Sequence, residues 1–175
     1  DIASAPNANA RKLLIAQLRQ DDPMVFEEFQ AELRAAAGAS HIVRISGRFP
    51  LAGRGDVNTY PVFTENARST LNGTGRAGLI IPSAICTGDT NKFFFQDLMQ
   101  TRTLASLYSF YEIREWFLDT DDRNAFCLIS MCGTKSPITA SSFAFSLHHP
   151  DEIRVAGRTF SLTLDEIALL NPNTL

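Results

Sequence analysis

The chain has 175 residues and a formal net charge of −3, with 45% hydrophobic and 20% charged residues. This composition is typical of a globular protein and excludes collagen-like, low-complexity and disordered chains. No apolar run approaches the roughly 20 residues that a membrane-spanning helix needs, so we predict no membrane association. No signal peptide is recognisable at the start, and we therefore expect a cytoplasmic protein.

The cysteines and histidines are placed poorly for metal binding or for a disulfide framework. Cys127 and Cys132 are separated by four residues within an apolar segment, and no second Cys or His pair accompanies them. We interpret them as buried thiols of a reduced protein and predict no metal site.

The first 55 residues read as a helical segment followed by a basic loop. Apolar residues recur at helical spacing on both sides of a break at 21–23, where Asp22 is the predicted N-cap of a second helix. Gly38 is the predicted end of that helix. The stretch 41–55 is rich in Gly, Pro and Arg, which predicts a loop. We therefore separate a segment 1–55 from a region 56–175.

The region 56–175 has the element order of an α/β protein. We predict a helix capped by Asp56, and then a strand over the apolar run 77–82. Such a continuous run is typical of a strand covered on both faces, as in a parallel sheet. A second helix, three further strands and a short C-terminal helix follow, at 89–98, 104–110, 125–131, 142–147 and 164–170. Alternation of helices and strands predicts an α/β fold.

The segment 73–78 matches the dinucleotide-binding fingerprint G-x-G-x-x-G. That fingerprint binds pyrophosphate only where a strand enters it and a helix leaves it. Here a helix is predicted before the segment and a strand after it. We therefore interpret it as a turn.

Several motifs follow one another in a specific order. These are N-x-Y-x-x-F at 58–63, G-x-x-G-x-I-x-P at 75–82, an aromatic loop at 115–117 and an apolar strand at 126–131. The order resembles the later half of the catalytic domain of adenine-specific DNA methyltransferases, in the type IIG-like restriction–modification and phage-defence class. The C-terminal segment 169–174 also resembles these enzymes.

The resemblance implies the later half of a Rossmann-like, S-adenosylmethionine-dependent methyltransferase fold, preceded by a helical segment. In the intact enzyme a methyl group would pass from S-adenosylmethionine to the exocyclic amine of adenine in double-stranded DNA. The family's Gly-containing turn and its NPP[YFW] catalytic loop are absent from this sequence. We therefore expect a fragment of a larger protein, whose partners are the other methyltransferase half and a recognition domain. We also expect weak or no cofactor binding by this chain alone.

The resemblance assigns roles to a few positions. Asn58 and Phe63 match the motif near the cofactor, and Phe63 would lie against its adenine ring. Phe117 matches the aromatic residue that stacks on the extruded target base, with Trp116 and Tyr111 as alternates. Each of these aromatic residues is also compatible with a packing role. No catalytic residue of the family is assigned within this fragment.

Two other interpretations stay open. The chain is also compatible with a non-enzymatic α/β module that binds a partner through a Phe-rich surface. It is compatible as well with a scaffold segment of an unrelated cofactor enzyme. In the methyltransferase sheet the strand at 77–81 lies beside a strand that this chain lacks. We therefore expect the isolated chain to self-associate, or to fold its N-terminal helices over the exposed sheet.

Overall fold

The computed structural model describes residues 2–112, 116–117 and 124–170. The chain divides into two compact units, Asp1–Ser46 and Gly47–Leu175. The first is helical, and the second is an α/β unit with a five-stranded mixed sheet. Among the described residues, no helix is both long enough and apolar enough to cross a membrane.

The first unit consists of helix α1, Ala8–Asp21, and helix α2, Pro23–Ile45. The predicted cap between them is confirmed, because Asp22 Oδ1 accepts a hydrogen bond from the Val25 N–H at 3.1 Å. The predicted end of α2 at Gly38 is wrong. Glycine within an exposed helix costs only about 1 kcal/mol relative to alanine, and α2 continues to Ile45. The helix ends where Gly47 takes the left-handed conformation, at φ +70°.

The second unit contains all the helices and strands that the sequence predicts after residue 55, together with one more strand and one more short helix. In chain order they are α3 Thr59–Ser69, β1 Arg76–Pro82, α4 Ala84–Thr87, α5 Lys92–Gln100, β2 Leu104–Tyr111, β3 Ala125–Cys132, β4 Ala140–Leu147, β5 Phe160–Thr163 and α6 Leu164–Leu170. Short 3₁₀ helices lie at Asp89–Asn91 and Pro150–Arg154. The predicted cap of α3 is wrong, because Asn58, with an extended backbone, is the N-cap rather than Asp56. The predictions did not include β5, whose four residues are too few to establish a period.

The strands lie in the order β1-β3-β2-β4-β5. Strands β1 and β2 both run antiparallel to β3, while β4 is parallel to β2 and β5 antiparallel to β4. The carboxyl ends of β1, β2 and β4 therefore meet at one end of the sheet. The expectation that 77–82 belongs to a parallel sheet is wrong. Within the described part of the chain, β1 is an edge strand that pairs only with the antiparallel β3.

The two faces of this sheet are covered very differently. On one face Ile81, Leu107 and Ile129 pack against Phe94 and Leu98 of α5 in the main core. On the opposite face a smaller cluster of Phe110, Ala144 and Leu147 packs with residues that include Ile153. Ile80 of β1, whose side chain alternates with that of Ile81, is 61% exposed. The expected cover on both faces of this strand is therefore wrong.

The segment 73–78 connects α3 to β1 and confirms the turn interpretation. The Gly73 carbonyl accepts from the Lys135 N–H at 2.8 Å, and the Gly75 carbonyl accepts from the Gly133 N–H at 2.9 Å. The backbone at Gly133 approaches the backbone at Asn72 too closely for a side chain, since a Cβ on Gly133 would lie 2.1 Å from the Asn72 carbonyl oxygen. The turn therefore joins the loop that follows β3 and does not form a phosphate-binding helix entry.

The predicted loop 41–55 is wrong for residues 41–45, which belong to α2. Within the second unit, buried Glu65 of α3 holds residues 51–52 of this stretch. Its two carboxylate oxygens accept the N–H groups of Leu51, at 3.1 Å, and Ala52, at 2.7 Å. Two consecutive backbone N–H groups thus donate charge-assisted hydrogen bonds to one carboxylate. Residues 47–55 belong to the α/β unit for this reason.

Candidate functional site

A cleft of about 810 Å³ lies at the carboxyl ends of β1 and β2. Its walls come from the start of α3, from the end of β1 with the following turn, from the residue after β2 and from the start of β3. The described residues that line it are Asn58, Thr59, Tyr60, Ile80, Ile81, Pro82, Ser83, Ala84, Thr87, Glu112, Phe117, Asn124, Ala125 and Phe126.

A buried asparagine joins two walls of the cleft. Asn91 is 3% exposed, and its Nδ2 donates to the Tyr60 hydroxyl at 2.9 Å and to the Ala84 carbonyl at 2.8 Å. The start of α3 is thereby fixed against the turn after β1. Ser83 Oγ, in the turn after β1, and Ser109 Oγ of β2 lie 3.0 Å apart and form a further hydrogen bond. These contacts give the cleft a defined wall.

The structure separates the two residues that the resemblance assigns to the cofactor. Asn58 borders the cleft, and its side chain makes no capping hydrogen bond to α3. Phe63 lies one turn further along α3, is 59% exposed and is not among the residues that line the cleft. Only Asn58 of this pair therefore lies where it could contact a molecule in the cleft.

The three candidate aromatic residues also have different surroundings. Phe117 borders the cleft and meets Phe126 edge-on, with ring centroids 5.3 Å apart. Trp116 lies against His149 at 6.0 Å, and Tyr111 lies against His148 at 5.3 Å. Neither alternate lines the cleft. Of the other residues named in the resemblance, Glu115 of the aromatic loop and the segment 171–174 lie outside the described residues.

Glu112 is a cleft residue that the sequence analysis did not identify. It is 3% exposed and borders the cleft at the end of β2. Its Oε1 accepts the Trp116 N–H at 3.3 Å, whereas its Oε2 makes no hydrogen bond with any described residue. A glutamate just after an apolar strand is an ordinary loop residue in sequence, so no pattern distinguished it.

The cysteines do not contribute a nucleophile to the cleft. Cys127 and Cys132 are buried, as predicted, and all three cysteines are free thiols. Desolvation by burial raises the pKa of Cys127 to about 12 and that of Cys86 to about 11, so both stay protonated at neutral pH. Within the described ranges, no group of three or more His, Cys, Asp or Glu side chains is arranged to hold a metal ion.

The cleft combines flat apolar walls with a few polar groups. Phe117 and Phe126 supply aromatic surface, and Asn58 and Asn124 supply neutral amides. Of the described residues that line it, Glu112 alone is charged. A planar, mainly apolar ring suits such a surface, whereas a phosphate would find no cation among these residues. No protein-family model and no curated protein matches this chain.

Proposed function

We propose that this chain is the later half of the catalytic domain of an adenine-specific DNA methyltransferase that uses S-adenosylmethionine. The parent enzyme belongs, in this proposal, to a restriction–modification or phage-defence system of the type IIG-like class and acts in the cytoplasm. The chain contributes part of the pocket for the extruded base. The remaining half contributes the catalytic loop and most of the cofactor site, and a further domain recognises the DNA sequence.

One observation carries the proposal. Three residues that the resemblance names in separate motifs, Asn58, Pro82 and Phe117, border the same cleft. They come from a helix start, a strand end and a loop, which the strand order brings to the same end of the sheet. This convergence supports a shared binding role for the three motifs.

The open edge of β1 is a second supporting feature. In the methyltransferase sheet the equivalent strand pairs with the strand that leads to the catalytic loop. Here β1 pairs with β3 and with no other described strand, and Ile80 is exposed on the uncovered face. An unpaired edge with an apolar face is suited to receive a further strand and its covering elements.

The residues present fit the base better than the cofactor. Phe117 and Phe126 form an aromatic corner beside the cleft, where a base that has left the duplex recovers part of its lost stacking. Phe63, the residue assigned to the cofactor ring, is exposed and lies away from the cleft lining. We therefore propose that the other half supplies most of the affinity for S-adenosylmethionine. Calorimetry should find weak or no binding to this chain, and micromolar binding would contradict that division.

The decisive experiment replaces two neighbouring aromatic residues in the full-length enzyme. Phe117→Ala should lower methylation and weaken binding to DNA with an extruded base by about 1–3 kcal/mol, because one stacking surface is lost. Trp116→Ala is the matched control, since Trp116 packs against His149 and does not line the cleft. Affinity for S-adenosylmethionine should stay nearly unchanged in both variants.

Three results would contradict the proposal. The first is a gene for this chain that encodes no Gly-rich turn and no NPP[YFW] motif upstream of it. Phe117→Ala would methylate DNA at the wild-type rate. Alternatively, both aromatic variants would lose activity equally, which would indicate a packing role for the whole loop.

The exposed apolar face favours one alternative, a non-enzymatic module that binds a protein partner. Ile80 is 61% exposed on an edge strand, and such surfaces promote association. Under either interpretation we expect the isolated chain to self-associate in sedimentation experiments. Ile80→Lys should weaken that association, since lysine on a strand edge disfavours pairing. A wild-type chain that remains strictly monomeric at high concentration would contradict this expectation.

A further inference from the structure

The loop between β2 and β3 is closed at its base by Glu112. The last residue pair in register is Tyr111 with Ala125, and the Glu112 N–H then donates to the Asn124 carbonyl at 3.2 Å. Backbone hydrogen bonds therefore join the two strands as far as Glu112 before the loop and Asn124 after it. Phe117 lies within this loop and borders the cleft.

The Glu112 side chain reaches the loop as well. Its Oε1 accepts the backbone N–H of Trp116 at 3.3 Å. Trp116 precedes Phe117 directly, so a bond that fixes the Trp116 amide also restricts where the Phe117 ring can lie.

The stability of the fold alone does not explain this carboxyl group. Glu112 is 3% exposed, and its Oε2 is buried without a hydrogen-bond partner among the described residues. A buried polar atom of this kind is unfavourable for folding and is often associated with a functional site. The cleft that Glu112 borders is the nearest such site.

We propose that Glu112 is a positioning residue, whose Oε1 holds the Trp116 amide and thereby keeps the Phe117 ring at the cleft. The inference rests on the proposed function only for what Phe117 contacts, namely the extruded adenine. The position of the loop is a property of this chain and can be measured without a ligand.

The test uses the fluorescence of Trp116, which is the single tryptophan of the chain. Glu112→Ala removes the acceptor, so the emission should shift to longer wavelength and quenching by acrylamide should rise. Loss of one such hydrogen bond should increase the population with a displaced loop roughly two- to ten-fold. Glu112→Gln retains a side-chain oxygen for the Trp116 N–H, and its spectrum and quenching should match the wild type.

Glu65→Ala is the matched control. Glu65 is also buried and also accepts backbone N–H groups, but those belong to Leu51 and Ala52 and not to the aromatic loop. This variant should lose stability and leave the fluorescence of the folded protein unchanged. An equal shift in Glu65→Ala and Glu112→Ala would overturn the inference, because a general loosening of the fold would then account for both.

The full-length enzyme separates this inference from the proposed function. Glu112→Ala should lower kcat for methylation roughly two- to ten-fold, with KM for S-adenosylmethionine unchanged, and Glu112→Gln should restore kcat. A Glu112→Gln variant that behaves like Glu112→Ala in fluorescence would overturn the positioning role. If the fluorescence results are as expected but methylation is unaffected, Glu112 still positions the loop and the proposed role of Phe117 is wrong.

Discussion

The two faces of the sheet differ although the same strands build both. On the covered face Leu107 and Met131 are fully buried beneath α5, whereas Ile80 on the opposite face is 61% exposed. Both faces are rich in apolar side chains, so hydrophobicity alone does not decide which one becomes the core. The difference indicates that the covered face supplies the stability of this unit. Part of the opposite face is also buried, around Phe110, Ala144 and Leu147, whereas its exposed part at Ile80, the open face, borders the cleft.

Two neighbouring isoleucines of β1 provide the sharpest test of this difference. Ile81 is 5% exposed and Ile80 is 61% exposed. Ile81→Ala should destabilise the fold by about 2–5 kcal/mol, because it removes buried methyl groups and leaves a cavity. Ile80→Ala should cost less than about 1 kcal/mol, since its side chain is largely in water already. Denaturation of both variants by urea measures the two values.

The pair is well matched because residue type, strand and substitution are identical. Similar losses in both variants would mean that the open face is covered in solution, for example by a second copy of the chain. Repeating the measurement over a range of protein concentrations would reveal such a cover, since only an associated state makes stability depend on concentration.

Glu65 tests how the basic loop is attached to the covered side. Glu65→Ala should lower the free energy of unfolding by about 1–3 kcal/mol, because the N–H groups of Leu51 and Ala52 lose a charged acceptor. Glu65→Gln keeps one oxygen and should cost less. Amide hydrogen exchange at Leu51 and Ala52 reports the loss directly. Unchanged protection of both amides in Glu65→Ala would contradict the assigned hydrogen bonds.

The smallest expected effect is a pH dependence at Glu152 of the 3₁₀ helix Pro150–Arg154. Hydrogen bonds from the N–H groups of His148 and His149, with a contribution from Arg158, lower the pKa of Glu152 from 4.5 to about 2. A carboxyl group with a lowered folded-state pKa stabilises the fold fully above its unfolded value and loses that contribution as the pH falls. The contribution should therefore fade between about pH 4.5 and pH 2.

Denaturation of the wild type and of Glu152→Gln at several pH values checks this prediction. The two proteins should differ most above pH 4.5 and converge towards pH 2. If the difference in stability between the two proteins stays constant across this range, it does not come from the ionisation of Glu152, and the prediction is wrong.

Much of the secondary structure could be predicted from the sequence, because helical spacing and apolar runs are local signals. Asp22 was identified as a cap, and the turn at 73–78 was distinguished from a nucleotide site by the elements on either side of it. The wrong or missing predictions concern places where a contact distant in sequence, or the backbone conformation of one residue, decides whether an element forms or where it ends. Gly38 stays helical while Gly47 takes the left-handed conformation, and β5 exists because it pairs with β4.

The candidate site was only partly predictable. Asn58 and Phe117 were named through their motifs, and the structure brings both to the cleft. Of the three aromatic residues that the sequence left as alternatives, Phe117 lines the cleft, whereas Trp116 and Tyr111 do not. Glu112 and Asn91 escaped prediction because their roles depend on partners such as Trp116 or Tyr60, and Tyr60 lies far from Asn91 along the chain.

The sequence by itself determined where most of the helices and strands form, because backbone preference and apolar spacing act over a few residues. Only the tertiary structure decided the strand order, and with it which face of β1 is buried and which is open. Strand pairing joins residues that are distant in sequence, and its register depends on the packing of the whole sheet. The cleft arises from that pairing, since it lies where the ends of β1, β2 and β3 meet the start of α3.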